Sequence, residues 1–264
     1  MDKYPFVVED LVSLARLAGE TVMEVYGRDF AVYEKADRSP VTDADIAAEK
    51  IIFDGLQALT PDIPAVGEEH VAEGNVPDLT GRFFWLVDPV DGTAEFIKKN
   101  GEFTVNIGLI DGTTPVFGVV YAPAVDELYF TQSPRQAFGI SGGKTALLKT
   151  RTVPVEGFTV FHSRSHFISE QACALMGDRP TAATVRRGSS LKFCDIAAGR
   201  GDAYPCTHPT HEWDTAAAHA VLKAAGGVVL DGEGRGELSY RKPAFENPRL
   251  LSLGRAPFKD KRRL

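Results

Sequence analysis

The segment Trp85-Leu86-Val87-Asp88-Pro89-Val90-Asp91-Gly92-Thr93 places two carboxylates three positions apart behind an apolar run. The pattern predicts a strand that delivers Asp88 to its end, with Pro89 and Gly92 forcing a tight turn. Asp88 and Asp91 then stand together beside the Val90 carbonyl. Hard oxygen donors that fill only part of an octahedron suit Mg2+. A helix opening at Thr93 would point its first N–H groups at the same spot, where they could hold a phosphate oxygen. Taken alone, the segment reads equally well as a strand stop with solvated aspartates.

Three further segments bear on that choice. Gly67-Glu68-Glu69 follows apolar Ala65-Val66, so a carboxylate again sits at a strand end. Ser39-Pro40-Val41-Thr42-Asp43-Ala44-Asp45 leads into a helical pattern, and Trp213-Asp214-Thr215-Ala216-Ala217 opens another. In isolation these are a charged loop and two N-caps. Together they supply acidic side chains from separate parts of the chain to one chemistry.

Elements that could position these residues are legible in the periodicity. Val7, Leu11, Leu14, Ala18, Val22 and Val25 recur at helical spacing up to Gly27, and a second helix runs from about Asp43 to Leu59, with Ala48, Ile52, Leu56 and Leu59 inward and Pro61 closing it. The period then changes. Strands are predicted at Phe83–Asp88, Thr104–Ile110, Val116–Tyr121, Glu127–Phe130 and Ala137–Ser141, punctuated by Asp111-Gly112 and Ala122-Pro123 as in an antiparallel meander. Gly142-Gly143 opens a weakly patterned stretch to Pro154, the predicted boundary between an N-terminal half (1–150) and a C-terminal half (151–264). Beyond it, strands near Thr159–His162, Ala203–Tyr204, Val228–Leu230 and Leu250–Leu253 alternate with helices near Ser169–Met176, Ser189–Ala198 and Thr215–Ala225, which predicts a second α/β system.

Composition limits the partners. A formal charge of -7 argues against a nucleic-acid binder, and an acidic protein that handles phosphates must reverse its local field, usually with bound cations. Lys259, Lys261, Arg262 and Arg263 read as a solvated end. Cys173, Cys194 and Cys206 form no CxxC pair, and no secretory leader or bilayer-length apolar run is visible, so a reduced, cytoplasmic protein is expected. Gly143-Lys144-Thr145 lacks the earlier glycine of a P-loop, and Gly232, Gly234 and Gly236 lack dinucleotide-binding spacing and read as a hairpin. His208 and His211 lack zinc-protease spacing.

The Gly-Glu-Glu, the Asp-Pro-x-Asp-Gly-Thr and the distant Trp-Asp, in this order, resemble the signature of the inositol-monophosphatase-like superfamily, and the resemblance runs from the first helix to about Leu253. It implies a layered α-β-α-β-α sandwich with the site at the junction of the halves. It also implies two or three Mg2+ ions: one on Glu68, Asp88 and the Val90 carbonyl, a second on Asp88, Asp91 and Asp214, and a weaker third near Glu68 and Asp45. Thr93, bonded to Asp45, would orient the attacking water and take its proton, and the Gly92 and Thr93 N–H groups would cradle the phosphate.

The continuation Ala94-Glu95-Phe96-Ile97-Lys98-Lys99-Asn100-Gly101-Glu102-Phe103 is similar to the bacterial 3'(2'),5'-bisphosphate nucleotidase branch, as are Ser163-Arg164-Ser165-His166, Gly188-Ser189-Ser190-Leu191-Lys192 and Asp202-Ala203-Tyr204-Pro205. That branch removes the 3'-phosphate of 3'-phosphoadenosine 5'-phosphate, a by-product of sulfate activation. By resemblance, Ser189 and Lys192 would meet the second phosphate or ribose, and Arg164 and His166 the nucleotide rim. Ala94 and Cys206 depart from the branch, standing where a lysine and an arginine are common. Inositol, histidinol and sugar phosphates stay open as substrates, as does a non-catalytic, metal-binding regulator. A monomer and a homodimer both stay open, and the resemblance leaves room for peripheral association with the cytoplasmic face of the inner membrane.

Overall fold

The computed structural model describes residues 4–35, 39–164 and 169–254. His166 and the basic tail lie outside them. Two helices, α1 (Val8–Tyr26) and α2 (Asp43–Leu59), form an outer layer. Leu11, Leu14, Ala18, Val22 and Val25 face inward from α1, and Ala48, Ile52 and Leu56 from α2. Val7 differs from the predicted apolar face, capping α1 and standing 56% exposed, while Leu59, half-buried at the last turn of α2, packs against the core as expected.

These helices cover a seven-stranded sheet of β3 (Ala65–Gly67), β4 (Phe83–Asp91), β5 (Thr104–Asp111), β6 (Thr114–Ala122), β7 (Glu127–Ser133), β8 (Gln136–Ser141) and β9 (Lys144–Leu147), in that order. β3 runs parallel to β4, and the rest form the predicted antiparallel meander. Gly142 and Gly143, at φ of 56° and 71°, do not begin an irregular stretch. They make the tight turn into β9, where two consecutive positive φ values match the twist of a hairpin. A short antiparallel pair, β1 (Val32–Glu34) and β2 (Pro40–Thr42), precedes α2.

The strands alternate faces. Trp85 and Val87 of β4 pack with α1 and α2, while Phe84 and Leu86 face a middle layer of α6 (Leu191–Ala197) and α7 (Glu212–Ala224). Glycine lets α7 lie this close: a Cβ at Gly118 would fall 2.1 Å from the Ala217 carbonyl oxygen. Behind α6 and α7 stands a five-stranded sheet of β10 (Phe158–His162), β11 (Thr181–Arg186), β12 (Ala203–Cys206), β14 (Val228–Asp231) and β16 (Leu250–Leu253), in the order β11-β10-β12-β16-β14. β13 (Thr210–His211) and β15 (Glu246–Asn247) pair separately. Met176 of α5 (Glu170–Met176) closes the outside against Phe158, Val160 and Leu251. The layers are therefore α-β-α-β-α, as expected. Among the described residues no helix is long and apolar enough to cross a membrane.

Candidate active site

β4 does not end at Asp88. It continues to Asp91, with its register against β5 shifting between those two residues, and turns only at Gly92. Pro89 has no N–H to give a ladder, so it sits in a bulge rather than ending the strand. The bulge keeps both aspartates at one end of the sheet. Gly92, at φ 92°, caps α4 (Thr93–Ile97), and a Cβ there would lie 3.2 Å from the Glu102 carbonyl oxygen. The other acidic residues arrive at the starts of three helices: Asp45 in the first turn of α2, Glu68 at the first position of α3 (Glu68–Ala72) and Asp214 in the first turn of α7.

These groups interact. Burial pushes the Asp88 carboxyl well above the usual carboxylate range, and the charges of Glu68, Asp91, Asp214 and Asp45 push it further. Asp214 is raised by burial and by Asp91 and Glu68. Asp91 is raised by burial, against the opposing pull of Lys192, the Ser189 hydroxyl and the Ser190 N–H. Burial lifts Asp45 to about 6, although two bonds from Thr42 resist. The structure thus brings Asp45, Glu68, Asp88, Asp91 and Asp214 into one electrostatic neighbourhood.

Each carboxylate is turned toward a protein donor. Lys35 Nζ donates to Glu68 at 2.6 Å and to Glu69 at 2.7 Å. The Val90 N–H donates to Asp88 at 3.0 Å, the Ser189 hydroxyl and Ser190 N–H to Asp91 at 2.5 Å each, and the His211 N–H to Asp214 at 2.9 Å. With the side chains so placed, no three His, Cys, Asp or Glu groups among the described residues form a ready-made ion cage. The donor set nevertheless fits a hard divalent cation. All its ligands are oxygens, and its buried negative charge is only partly balanced by protein cations.

Thr93 Oγ1 lies 3.4 Å from Asp45 Oδ1 and 3.3 Å from the Val90 carbonyl. Ser189, at φ 57°, turns its hydroxyl toward Asp91 and Thr104, and Ser190 reaches Asn106. Lys192 is buried rather than on a helix surface. Its Nζ donates to the Ser189 carbonyl at 2.5 Å and stands 4.8 Å from the Tyr204 ring centroid. Asp91, Gly92, Ser189, Lys192 and Asp214 line one cleft, with Cys206 and His208 on its wall. Arg164 is engaged elsewhere, in a two-pronged ion pair with Glu102, which also accepts the Gly188 N–H. There it braces the turn that carries Ser189.

Lys35 joins the site without a sequence signal that marks it, and Glu69, the second glutamate of the Gly-Glu-Glu motif, joins beside Glu68. Burial raises Glu69 to about 7, with Lys35 opposing. Lys35→Met is expected to leave two neighbouring carboxylates without their shared cation, lowering stability in chelator at pH 7 by about 2 kcal/mol. A urea midpoint equal to that of the unsubstituted protein would show that the ammonium does not hold them.

A family model for the inositol monophosphatase family matches residues 6–255. The chain belongs to the inositol monophosphatase family. It is 44% identical over 247 residues to the 3'(2'),5'-bisphosphate nucleotidase CysQ of Escherichia coli K12, a match that covers 92% of this chain and 97% of that relative. The crystal structure of CysQ from Bacteroides thetaiotaomicron, described as a bacterial member of the family, superposes with a TM-score of 0.79 at 32% identity, covering 94% of this chain and 97% of the other. An IMPase from Thermotoga maritima shares the fold, with a TM-score of 0.73 at 23% identity over 94% of this chain and 92% of its own. Within the inositol monophosphatase family, the expected likeness to the nucleotidase branch holds.

Proposed function

We propose that the protein is a Mg2+-dependent 3'(2'),5'-bisphosphate nucleotidase that converts 3'-phosphoadenosine 5'-phosphate to adenosine 5'-monophosphate and phosphate in the cytoplasm. The observation that carries this reading is the meeting of Asp45, Glu68, Asp88, Asp91 and Asp214 from four separate segments, close enough for the other four charges to raise Asp88. The near-full-length likeness to CysQ nucleotidases supports the substrate. Glu68, Asp88 and the Val90 carbonyl would hold one ion, Asp88, Asp91 and Asp214 a second, and Glu68 with Asp45 a weaker third. When bound, the ions lower the proton affinity of water and neutralise charge on the phosphoryl group and leaving oxygen.

The chain's own residues supply position and a proton path. Thr93, between Asp45 and the Val90 carbonyl, accepts a hydrogen bond from the attacking water and relays its proton toward Asp45. The N–H groups of Gly92 and Thr93 hold the phosphate, water attacks phosphorus in line, and the 3' oxygen leaves as the new bond forms and takes a proton from solvent to become the ribose hydroxyl. Lys192 places a cation in the same cleft, near enough to Asp91 to act on its carboxyl, where it can meet the second anion of a bisphosphate. Cys206, which takes the arginine position of the branch, stays a neutral thiol because burial pushes it up to about 11.

Phosphate release from 3'-phosphoadenosine 5'-phosphate, inositol 1-phosphate, fructose 1,6-bisphosphate and histidinol phosphate tests the assignment. The nucleotide is expected to lead in kcat/KM by at least about 10-fold, which is about 1.4 kcal/mol of differential transition-state binding. Equal rates across the panel would overturn the substrate, and no release from any would overturn the enzyme.

A further inference from the structure

Glu49 sits one helical turn after Asp45 on α2 and is 2% exposed. Its carboxylate is spent on the segment that begins with Glu68. Oε1 accepts the Glu69 N–H at 3.0 Å, and Oε2 accepts the His70 N–H at 3.1 Å and lies 2.5 Å from His70 Nδ1. The His70 ring is stacked on Phe53 of α2, with centroids 4.1 Å apart. α3 has no side-chain cap of its own because its N-cap is Gly67, so α2 supplies the cap from outside. Glycine at 67 is what admits it: a Cβ there would lie 2.1 Å from Glu49 Oε1.

One rigid turn of α2 therefore carries Asp45 at one end and grips the backbone beside Glu68 at the other. The separation of those two acidic groups follows the helix pitch rather than loop geometry. We infer that Glu49 is a positioning residue for the catalytic centre: by bonding the α3 backbone it fixes Glu68 in register with Asp45 and so sets the affinity of the cations that Glu68 holds. The inference rests on the reading of Glu68 as an ion ligand. A purely structural cap would share the same bonds, so the test must separate metal affinity from fold stability.

Mg2+ binding by calorimetry without substrate, the Mg2+ dependence of turnover, and melting in chelator are to be measured on the full chain and on Glu49→Ala, Glu49→Gln and His70→Ala. Partners that orient a metal ligand change metal affinity by about 10- to 100-fold. Glu49→Ala is accordingly expected to weaken Mg2+ binding at least about 10-fold and to raise the Mg2+ needed for half-maximal turnover equally, with KM for the nucleotide at saturating Mg2+ unchanged within about twofold. Glu49→Gln keeps an acceptor for one N–H and is expected to recover most of the affinity. If Glu49→Ala melts lower yet binds Mg2+ like the unsubstituted protein, Glu49 is only a structural cap and the inference is wrong. Should Glu49→Ala not fold, Gly67→Ala takes its place, because the added Cβ would displace Glu49 Oε1 from the α3 backbone, and Mg2+ affinity unchanged in that variant overturns the inference equally. An unsubstituted protein that takes up no Mg2+ overturns the parent reading as well, and does so before any substitution is made.

Discussion

Asp91→Asn and Asp214→Asn are each expected to cut phosphate release by about 10³-fold or more, roughly 4 kcal/mol of transition-state stabilisation, without loss of the fold. Asparagine is nearly isosteric with aspartate, so its amide oxygen can still accept the Ser190 N–H at position 91 or the His211 N–H at position 214. What disappears is an anionic oxygen ligand, which a neutral amide replaces poorly around a hard divalent ion. The same change relieves a buried cluster that repels itself, because Asp91 and Asp214 each raise Asp88. Asp88→Asn, at the position that feels four other carboxylates, is expected to lose activity to the same degree and to give the largest rise in melting temperature in chelator. Phosphate release at saturating Mg2+, paired with melting curves in chelator, checks both halves. Activity within about tenfold of the starting protein would remove these aspartates from the chemistry.

Much of this arrangement was legible before any coordinates. The helix carrying Asp45 announces itself because its burial is one-sided, while the strand carrying Asp88 and the helix carrying Asp214 are buried almost all round and show instead as apolar runs. The hidden parts have physical reasons. Pro89 looks like a terminator, yet a bulge has no use for its missing N–H, so β4 runs three residues further. β11 was missed because every residue of Thr181–Arg186 is exposed, leaving no alternation to detect. The helix predicted from Ser189 starts at Leu191, because Ser189 takes a left-handed φ of 57° and Ser190 donates to Asp91 instead of extending the coil. Lys35 is one charge among several in a polar stretch, beside Glu34, Asp37 and Arg38 in sequence, and only the fold reveals that Glu68 and Glu69 converge on it. Glu49 did leave a trace. It falls in the buried stripe of α2 with Ala44, Asp45, Ala48 and Ile52, where a carboxylate needs a partner to be tolerated.

In chelator, the protein is expected to lose stability as pH rises from about 4 to about 7, and Mg2+ is expected to restore progressively more of it over the same interval. A carboxyl whose pKa is higher in the folded than in the unfolded chain holds its proton more tightly when folded. Ionising it therefore costs stability: nothing below the unfolded value, more as pH climbs toward the folded value, and the full amount above that. Asp45 moves from 3.8 to about 6 and Glu69 from 4.5 to about 7, both chiefly through burial. Asp45 alone accounts for a loss on the order of 3 kcal/mol. Asp88, Asp91 and Asp214 add to it in the same direction. His219 works against this trend, since burial lowers its pKa and its protonation in acid costs stability. Glu237, held at about 2 by His219 and Lys223, contributes stability that is lost only below the window. Subtracting the melting temperature in chelator from that in Mg2+ at each pH cancels those distant groups and leaves the acidic cluster, whose oxygens must be deprotonated to hold a cation. The increment is expected to be small at pH 5 and to grow through pH 7, with Asp88→Asn flattening the slope. An increment as large at pH 5 as at pH 8 would mean that the cation binds somewhere other than these buried carboxylates.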